Sequence, residues 1–570
     1  MSLNIDPLLS KAQNWLKPHF DQNTQSAIQK LIGGPKEALE DAFYTSLAFG
    51  TGGMRGIMGV GDNRINKYTL GKTTQGLSNY LKTEFAAEFA EESLGVVIAY
   101  DCRHNSDTLA QTVAEVFSAN GIHVKLFSSL RPTPELSFAV RYLNCHCGIV
   151  LTASHNPPEY NGYKVYWQDG GQLVPPQDSA IITEINTLDY QDIRFNPNHD
   201  LIERIDNEVD NAFIQASLNA VPKRATNQNR KDLRVVFTPL HGTSVTMVPP
   251  VLAAAGFDQV HIVKEQATPD GNFPTVSSPN PEEPQALQMA MDQAREFDAD
   301  LVIGTDPDCD RLGIAVRNNH GELTLLNGNQ AMVIKTHFLL DGLTADQKNK
   351  KSFIASTVVS TPMMRLLADD FGVAYKEGLT GFKWIAKMVK DFPQQDFIGG
   401  GEESFGYMVG DFVRDKDAVT ASLLICEIAA YLNGKGSSVW NYLQEIYQRY
   451  GYFGEALISQ VKKGRQGAEQ IKAIMTAFRQ EPPKTIAGSP VIKIEDYQNQ
   501  KVLDLTSGQE TPLDLPASNV LIFYTQDGAK IAARPSGTEP KIKYYISVTA
   551  EAEAALSPQI ESIKKDLNLL

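Results

Sequence analysis

Three aspartates at alternate positions form the motif with the clearest chemical meaning in this chain of 570 residues. Asp306, Asp308 and Asp310 follow an apolar run at residues 301–303, which predicts a buried strand ended by Gly304. Three carboxylates held this close repel one another, so the loop needs a cation, and oxygen ligands favour a hard ion such as Mg²⁺. A Mg²⁺ site at the end of a strand usually serves phosphate chemistry. The alternative is a solvated acidic turn.

A candidate reactive serine lies upstream, in the sequence Thr-Ala-Ser-His-Asn-Pro at residues 152–157. The apolar run at residues 148–151 predicts a strand, so Ser154 lies on a strand-end loop, where reactive side chains are commonly displayed. The Asn-Pro pair that follows keeps the backbone extended or turned and prevents an early helix. Ser154 is therefore a candidate nucleophile or, once modified, a phosphate carrier. An ordinary surface turn is the alternative for this motif taken by itself.

Composition limits the function classes. The length is typical of about three to five domains, and 42% hydrophobic residues are enough for several cores. A net charge of −15 and a pI of about 5.2 argue against a nucleic-acid partner. The five cysteines are an odd number without a disulfide framework, which favours reduced thiols and a cytoplasmic protein. We expect no signal peptide and no membrane span, since no apolar run reaches about 18 residues.

The elements that position these loops follow a repeated strand-helix-strand rhythm. Residues 95–101 predict a strand, residues 106–120 a helix and residues 122–127 a second strand. The same rhythm recurs over residues 233–303 and residues 352–399, which predicts an α/β protein with three related, mainly parallel sheets. The polar segment at residues 189–230 is expected to hold the first domain boundary.

The C-terminal part has a different pattern. Residues 520–524 and 541–546 predict strands of a small α+β domain. The last segment, residues 557–567, predicts a helix, with Ser557 at the N-cap and Pro558 at the first helical position.

Four motifs in order resemble the α-D-phosphohexomutase superfamily of phosphoglucomutases and phosphomannomutases. They are similar to its phosphoserine loop, metal loop, sugar-binding loop and C-terminal phosphate-binding loop, at residues 152–157, 306–311, 400–406 and 534–540. One motif would be weak, but four in family order across most of the chain are highly specific. Further stretches resemble the branch that also holds phosphopentomutases: residues 49–56, 238–242 and 378–384.

The resemblance implies an architecture. It predicts three related mixed or parallel α/β/α domains and a C-terminal α+β domain, similar to the TATA-box-binding protein, around a central cleft. The expected divisions are a phosphoserine domain at residues 1–220, a metal-binding domain at 221–326, a sugar-binding domain at 327–450 and a phosphate-binding domain at 451–570.

The resemblance also implies an activity: a Mg²⁺-dependent phosphosugar mutase, which is an intramolecular phosphotransferase of the isomerase class. The expected cofactors are Mg²⁺ and a sugar bisphosphate activator such as glucose 1,6-bisphosphate, and the expected partners are small-molecule sugar phosphates. Glucose, mannose and ribose phosphates all stay open, with glucose phosphate favoured by the sugar loop. The oligomeric state is left open. A non-catalytic sugar-phosphate-binding protein and a Mg²⁺-dependent phosphatase are the rival classes.

The matching positions give the expected site. The resemblance makes Ser154 the phosphoryl carrier and a metal ligand beside the three aspartates, and Cys309 departs from the small residue common between the last two. Lys164 and Lys383 compete as the group that moves the sugar proton, with a pKa that nearby cations are expected to lower. His155 is a third candidate for this catalytic role, although a structural or hydrogen-bonding role is favoured for it. The other expected catalytic group is Arg55, and the expected substrate-binding residues are Arg311, Gly381, Glu402, Ser404, Arg534, Ser536, Gly537 and Thr538.

Overall fold

The structure is a computed structural model that describes residues 7–50, 52–91, 94–348, 351–462, 464–536 and 541–569. Within these ranges the chain forms two compact units. The first extends to Leu326 and includes Ala386–Pro393 and Phe405–Gly436. The second comprises Asn327–Ile385, Gln394–Ser404 and the chain from Ser437 onward.

Three short helices open the described chain and share an aromatic core. Trp15 and Phe20 stack with ring centroids 4.7 Å apart, and Tyr68 meets both rings edge-on. Asp21 caps the second helix by accepting a hydrogen bond from the backbone of Thr24 at 2.9 Å. The helices are α1 (Pro7–Asn14), α2 (Gln22–Ile32) and α3 (Lys36–Phe43).

The first sheet contains the serine motif. Its strands are β1 (Gly53–Ile57), β2 (Gly95–Tyr100), β3 (His123–Phe127), β4 (Cys147–Leu151), β5 (Tyr160–Trp167) and β6 (Ile202–Ile205), in the order β1-β5-β4-β2-β3-β6. β2 runs parallel to β3 and β4, while β5 is antiparallel to β4 and to β1. The helices are α4 (Lys67–Glu84), α5 (Ala86–Glu91), α6 (Ser106–Ala119), α7 (Thr133–Tyr142), α8 (Gln177–Thr187) and α9 (Asn207–Ala220).

The segment expected to hold the first boundary is more structured than its polarity indicates. It contains β6, which pairs with β3 in parallel, and α9, whose Val209 and Phe213 are buried. A few apolar residues at helical spacing are enough to fix α9, although the surrounding composition is polar.

The second sheet contains the three aspartates. It has the order β11-β10-β9-β7-β8, and β9 pairs in parallel with β7. The predicted end of β9 at Gly304 is wrong by one residue, because the strand continues to Thr305. Gly304 is instead a packing position, where a Cβ atom would lie 2.3 Å from Leu287. The elements are α10 (Asn227–Asp232), β7 (Arg234–Thr238), α11 (Val248–Ala255), β8 (Gln259–Ile262), α12 (Pro284–Glu296), β9 (Leu301–Thr305), β10 (Leu312–Arg317) and β11 (Leu323–Leu325).

A third α/β segment follows. β12 pairs in parallel with both β13 and β14. The elements are α13 (Gly328–Asp341), β12 (Ser352–Thr357), α14 (Met363–Phe371), β13 (Ala374–Gly378), α15 (Lys383–Asp391), β14 (Asp396–Gly401), β15 (Tyr407–Val409), α16 (Ala418–Asn433) and α17 (Val439–Tyr450).

The C-terminal sheet is antiparallel, in the order β16-β23-β22-β21-β18-β19-β20. The final helix is α19 (Leu556–Asp566), so the predicted N-cap at Ser557 is wrong: Ser557 and Pro558 both lie inside the first turn. The buried Leu556 fixes the helix start by packing. The other elements are β16 (Tyr452–Val461), α18 (Gly464–Gln480), β17 (Thr485–Ile486), β18 (Ser489–Asp496), β19 (Lys501–Asp504), β20 (Glu510–Pro512), β21 (Leu521–Thr525), β22 (Lys530–Pro535) and β23 (Lys541–Ala550).

The predicted fold class is confirmed, with three α/β sheets followed by an antiparallel sheet and its helices. All five cysteines are free thiols. Across the residues that the structure describes, no helix combines the length and the apolar character that a bilayer span requires.

Candidate active site

The serine loop, residues 152–160, presents Ser154 directly after β4. Ser154 has a backbone φ of +50°, which is uncommon for a residue with a side chain, and its N–H donates to Thr152 Oγ1 at 2.9 Å. The hydroxyl donates to Asp306 Oδ2 at 2.6 Å and lies 3.1 Å from His155 Nδ1. The backbone strain and these contacts aim one hydroxyl, 7% exposed, at the aspartate cluster.

Arg103 binds the backbone of the serine loop. Its guanidinium donates to the carbonyl oxygens of Ser154 (2.7 Å), Pro157 (2.8 Å), Tyr160 (3.0 Å) and Asn156. Sequence reasoning missed this role. The only local signal is an arginine two residues after Asp101 at the end of β2, and the carbonyls that it binds lie more than 50 positions away.

The metal loop, residues 306–311, follows β9 and gathers three buried carboxylates. One oxygen from each of Asp306, Asp308 and Asp310 lies within 4.8 Å of the others. Asp306 Oδ1 accepts the backbone N–H groups of Asp310 and Arg311, both at 3.0 Å, so the loop folds around this side chain. The structure therefore brings the predicted serine and the three predicted aspartates together.

Burial and neighbouring charges shift the pKa values of two carboxyl groups in this cluster. Burial raises the pKa of Asp306 well above its ordinary value, and the neighbouring carboxylates of Asp310 and Asp308 raise it further. Burial acts in the same direction on Asp310, but Lys164 and Lys416 outweigh it and hold the pKa of Asp310 below its ordinary value. Negative charge on Asp306 is thus disfavoured unless a further cation stabilises it.

The donor set fits a hard divalent cation. Asp308 Oδ1 and Asp310 Oδ1 are buried and accept no hydrogen bond from the residues that the structure describes. Buried carboxylate oxygens are normally satisfied, so these two are available as ligands. With the oxygens of Asp306 and Ser154 beside them, the set contains only oxygen, which suits Mg²⁺.

Lys164 contacts the cluster from β5. Its Nζ lies 2.7 Å from Asp308 Oδ2 and 3.1 Å from Asp310 Oδ2. Burial alone would lower the pKa of Lys164, but the two carboxylates outweigh burial and hold that pKa above its ordinary value. The direction is opposite to the lowering expected beside Mg²⁺, because carboxylates rather than cations are the nearest charges in this arrangement.

A second lysine, Lys416, was missed by sequence reasoning. Its Nζ lies 3.1 Å from Asp310 Oδ2 and 3.1 Å from Asp415 Oδ1. Asp415 is itself fixed by the Tyr166 hydroxyl at 2.6 Å and the Gln172 amide at 3.1 Å. The signal available in the sequence was the Arg-Asp-Lys-Asp run at residues 414–417, which looks like an exposed charged turn but is largely buried.

The other predicted residues near the serine have defined positions. Arg55 on β1 is exposed and donates to Asn156 Oδ1 at 2.9 Å. Burial lowers the pKa of His155 well below its ordinary value, and the charge of Arg311 lowers it further, so this imidazole is neutral at pH 7. Arg311 pairs with Glu282 and lies 3.8 Å from Asp310 Oδ1.

The Cys309 thiol is fully buried beside this cluster, and its residue has a φ of +61°. Burial raises the pKa of this thiol well above its ordinary value, and the charge of Asp417 raises it further. The thiolate that oxidants attack is therefore strongly disfavoured at this position.

The sugar loop, residues 400–406, begins in β14, and its residues Glu402 and Ser404 belong to the second unit. Glu402 is 7% exposed and its Oε2 accepts the Ser404 hydroxyl at 3.0 Å, so these two predicted residues are neighbours. The adjacent Glu403 accepts the hydroxyls of Thr357 and Ser360, both at 3.1 Å. Glu403 is thus tied to β12 and the turn after it, while Glu402 pairs within its own loop.

The phosphate loop, residues 534–540, begins in β22. Arg534 pairs in register with Lys543 of β23, which places the two cations on one face of the sheet. The Ser536 N–H donates to the Lys541 carbonyl at 2.7 Å. The predicted residues Gly537 and Thr538 lie outside the described residues.

The predicted residues Gly381 and Lys383 lie at the start of α15. Gly381 has a φ of +108°, a conformation that favours glycine. Lys383 Nζ lies 5.2 Å from the centre of the Trp384 ring.

Comparison with known proteins agrees with this fold. Three family models match the chain: phosphoglucomutase/phosphomannomutase α/β/α domain I at residues 46–192, domain II at residues 211–321 and domain III at residues 327–450. These matches, with the serine and the aspartate cluster, define an enzyme of the phosphohexomutase class, an isomerase. The chain belongs to the phosphoglucomutase/phosphomannomutase family, and the predicted superfamily is confirmed.

Individual relatives extend the match to nearly the whole chain. It is 39% identical over 525 residues to a phosphoglucomutase of Staphylococcus epidermidis, covering 90% of this chain and 93% of the relative. It is also 39% identical over 570 residues to a Staphylococcus aureus phosphoglucomutase, covering 99% and 97%. The fold is similar to that of parafusin, a phosphoglucomutase from Paramecium, with a TM-score of 0.68, 17% identity and coverage of 92% and 96%.

Proposed function

We propose that this enzyme is a Mg²⁺-dependent phosphosugar mutase that interconverts sugar 1-phosphates and 6-phosphates through a phosphorylated Ser154 and a bisphosphate intermediate. The observation that carries the proposal is the position of the Ser154 hydroxyl, 2.6 Å from Asp306 Oδ2 at the edge of three buried carboxylates. A surface serine in an ordinary turn is not expected to have a strained backbone or a hydroxyl directed at a carboxylate cluster.

The residues that would hold Mg²⁺ are Asp306, Asp308, Asp310 and Ser154. A bound Mg²⁺ neutralises charge on a transferring phosphoryl group and makes its phosphorus a better electrophile. Lys164 and Lys416 contribute positive charge at the same cluster, where each lies 3.1 Å from Asp310 Oδ2.

The transfer exchanges one phosphorus–oxygen bond for another. A sugar hydroxyl oxygen forms a bond to phosphorus and loses its proton to a base, while the bond from phosphorus to Ser154 Oγ breaks and Oγ takes up a proton. The products are a free serine and a sugar bisphosphate, and the reverse step at the other phosphate regenerates phosphoserine. Lys164, Lys383 and Lys416 are the candidates for the proton transfer, and the neutral His155 remains beside Oγ as a hydrogen-bonding group.

We also propose which residues contact the substrate. Arg534 and Ser536, with Gly537 and Thr538, would bind the phosphate that does not react, and the pairing of Arg534 with Lys543 supports a local anion site. Glu402 and Ser404 would bind sugar hydroxyls. Gly381 would allow the backbone turn ahead of Lys383, and Arg55 and Arg311 would bind phosphoryl oxygens.

We propose glucose phosphate as the preferred substrate, with glucose 1,6-bisphosphate as the activator. The name of the two relatives that are 39% identical supports this choice. Mannose and ribose phosphates are the competing substrates. The acidic chain and its five free thiols support a cytoplasmic enzyme that acts on small molecules and binds neither nucleic acid nor membranes.

We also propose four domains, at residues 1–220, 221–326, 327–450 and 451–570. The support is that each range contains one of the four sheets, with β15 in the third range.

The experiment that tests the function measures isomerised sugar phosphate and free phosphate from the same reactions. Glucose, mannose and ribose 1-phosphates are each supplied with Mg²⁺ and a trace of the matching bisphosphate. We expect isomerisation without release of free phosphate, fastest with glucose 1-phosphate. Free phosphate as the main product would instead identify a phosphatase, and binding without either product would identify a non-catalytic protein.

A pair of substitutions tests the substrate contacts. Arg534→Ala removes a charge-assisted contact to the non-reacting phosphate, a loss of about 1.5–3 kcal/mol. Because this contact persists through transfer, the loss should raise KM for every sugar phosphate. Glu402→Gln should instead change the ratio of kcat/KM among glucose, mannose and ribose phosphates. An unchanged KM in Arg534→Ala, with a uniform rise in Glu402→Gln, would show that the two roles are reversed.

A further inference from the structure

A second set of contacts connects the serine loop to the metal loop, at a distance from the direct contact between Ser154 and Asp306. These contacts pass through the brace loop, residues 268–276, which connects β8 to α12. The motif at residues 238–242 and residues 101–105 contact the same loop. None of these side chains belongs to the proposed catalytic or substrate-binding groups.

One end of the brace loop contacts Arg103. The Phe273 ring lies 5.1 Å from the Arg103 guanidinium, the group that binds four carbonyls of the serine loop. Phe273 is 1% exposed and has a φ of +49°. A Cβ atom at Gly271 would lie 2.8 Å from the backbone nitrogen of His104, so the two loops approach as closely as backbones allow. Asn272 adds a hydrogen bond to the His104 ring at 2.8 Å.

His241 contacts the brace loop near both of its ends and at Asp270. Its imidazole lies 2.8 Å from the Thr275 hydroxyl and 3.3 Å from the Thr268 carbonyl, near the two ends of the loop. The His241 carbonyl also accepts the Asp270 N–H at 3.1 Å. His241 is buried, and both His241 and Leu240 have positive φ angles. The backbone is therefore strained at the residues that contact the brace loop.

The same turn reaches the metal loop. Thr243 donates its N–H and its hydroxyl to the Pro307 carbonyl, at 2.7 and 3.0 Å. A Cβ atom at Gly242 would lie 2.4 Å from the Pro307 Cα, so only glycine permits this approach. Pro307 lies between Asp306 and Asp308, and its position therefore affects both carboxylates.

We infer that Arg103, Phe273 and His241 are positioning residues that keep the serine loop and the metal loop in register for phosphoryl transfer. The inference rests on the proposed function, because the register of Ser154 with Asp306 matters to the reaction only if Ser154 carries the phosphoryl group. Contacts run from the Ser154 carbonyl to Arg103 and on to Phe273, whose N–H donates to the Asp270 carbonyl at 3.1 Å. The Asp270 N–H donates to the His241 carbonyl, and the chain leads from His241 through Gly242 to Thr243 and its contact with the Pro307 carbonyl. Displacements of about 1 Å at a transfer site cost about 100-fold in rate, so a brace of this kind has a measurable effect.

The test uses Phe273→Leu, which keeps an apolar side chain but removes the ring face beside Arg103. Phe297→Leu is the matched control, since Phe297 is 49% exposed in the same part of the chain. In Phe273→Leu we expect the single-turnover rate of transfer from phosphorylated Ser154 to a hexose 6-phosphate to fall about 10-fold. KM should stay within about 2-fold of its original value, because Phe273 contacts no proposed substrate group. Phe297→Leu should change neither quantity.

A second experiment measures the energetic coupling between His241 and Arg103 by combining a substitution at each. His241→Asn keeps a residue that tolerates a positive φ but shortens the reach to Thr275. Arg103→Lys keeps the charge but loses the planar donor pair. If both act through the brace loop, the double variant loses less rate than the product of the two single losses. Losses that simply multiply would overturn the inference, as would a Phe273→Leu enzyme with an unchanged rate or with a KM that rises as kcat falls.

Hydrogen exchange separates this inference from the proposed function. The amides of the serine loop should exchange about 10-fold faster in Phe273→Leu than in Phe297→Leu, whether or not the protein is phosphorylated. Unchanged exchange would overturn the brace. Faster exchange in a protein that shows no phosphoryl transfer to sugars would instead overturn the proposed function, and with it the catalytic role of the brace loop. The structural connection between the serine loop and the metal loop would still hold.

Discussion

Replacing Ser154 with alanine should lower mutase turnover by roughly 10⁴- to 10⁶-fold, the scale seen when an enzyme loses its nucleophile. The variant has no oxygen that can carry the phosphoryl group between substrate molecules. Alanine and serine meet the same backbone strain at a φ of +50°, and the lost hydrogen bond to Asp306 costs about 1–3 kcal/mol. We therefore expect the variant to fold, with a melting temperature lowered by only a few degrees.

Two measurements check this prediction. The turnover of Ser154→Ala is compared with that of Ser557→Ala, an exposed serine in the first turn of α19. Intact-mass analysis of the unmodified sequence, after incubation with glucose 1,6-bisphosphate, should show one added phosphoryl group that peptide mapping assigns to Ser154. Normal turnover in Ser154→Ala, or a phosphoryl group mapped to another residue, would exclude Ser154 as the carrier.

The strands that carry the serine and the aspartates could be predicted because their apolar runs are continuous and end at polar loops. The structure gives β4 as Cys147–Leu151 and β9 as Leu301–Thr305, close to the predicted positions. The errors occur where packing overrides a local rule. Gly304 looks like a strand end, yet it lies inside β9 because Leu287 occupies the space that a side chain would need.

The candidate site could be predicted only in part. The serine and the three aspartates are visible because each motif is short and chemically distinctive. Arg103 was not predicted as a site residue because its four acceptors are backbone carbonyls, which leave no trace in residue types. Lys416 was overlooked for a different reason: a run of alternating charges normally indicates an exposed turn, and only the packing around Asp415 shows that it is buried.

The electrostatics of Lys164 show why charge state was harder to predict than position. Its position near the serine loop follows from the register of β4 with β5, which pairs Val150 with Lys164. Its pKa depends on which charges are nearest, and Asp308 and Asp310 dominate at 2.7 and 3.1 Å. A sequence gives the number of charges in a loop but not these distances, on which the sign of the shift depends.

Removing one carboxylate charge from the metal loop should have the second-largest effect. Asp308→Asn keeps the shape of the side chain and can still accept the Thr133 hydroxyl, which donates to Asp308 Oδ2 at 2.9 Å. The amide replaces one carboxylate oxygen with a hydrogen-bond donor and reduces the negative charge available to a cation. We expect the Mg²⁺ concentration for half-maximal turnover to rise by about 10- to 100-fold, and turnover at saturating Mg²⁺ to fall as well.

A binding measurement makes this prediction independent of activity. Mg²⁺ titrated into the chelator-treated protein should release or absorb heat at one site, and Asp308→Asn should weaken that binding, while Asp369→Asn on the exposed surface of α14 should not. Chelation should also abolish turnover of the unmodified sequence, and Mg²⁺ should restore it. Full turnover in metal-free enzyme would mean that the three aspartates shape the loop through Thr133, Lys164 and Lys416 alone. In that case Asp308 Oδ1 and Asp310 Oδ1, which accept no hydrogen bond from the described residues, would need an explanation other than a cation.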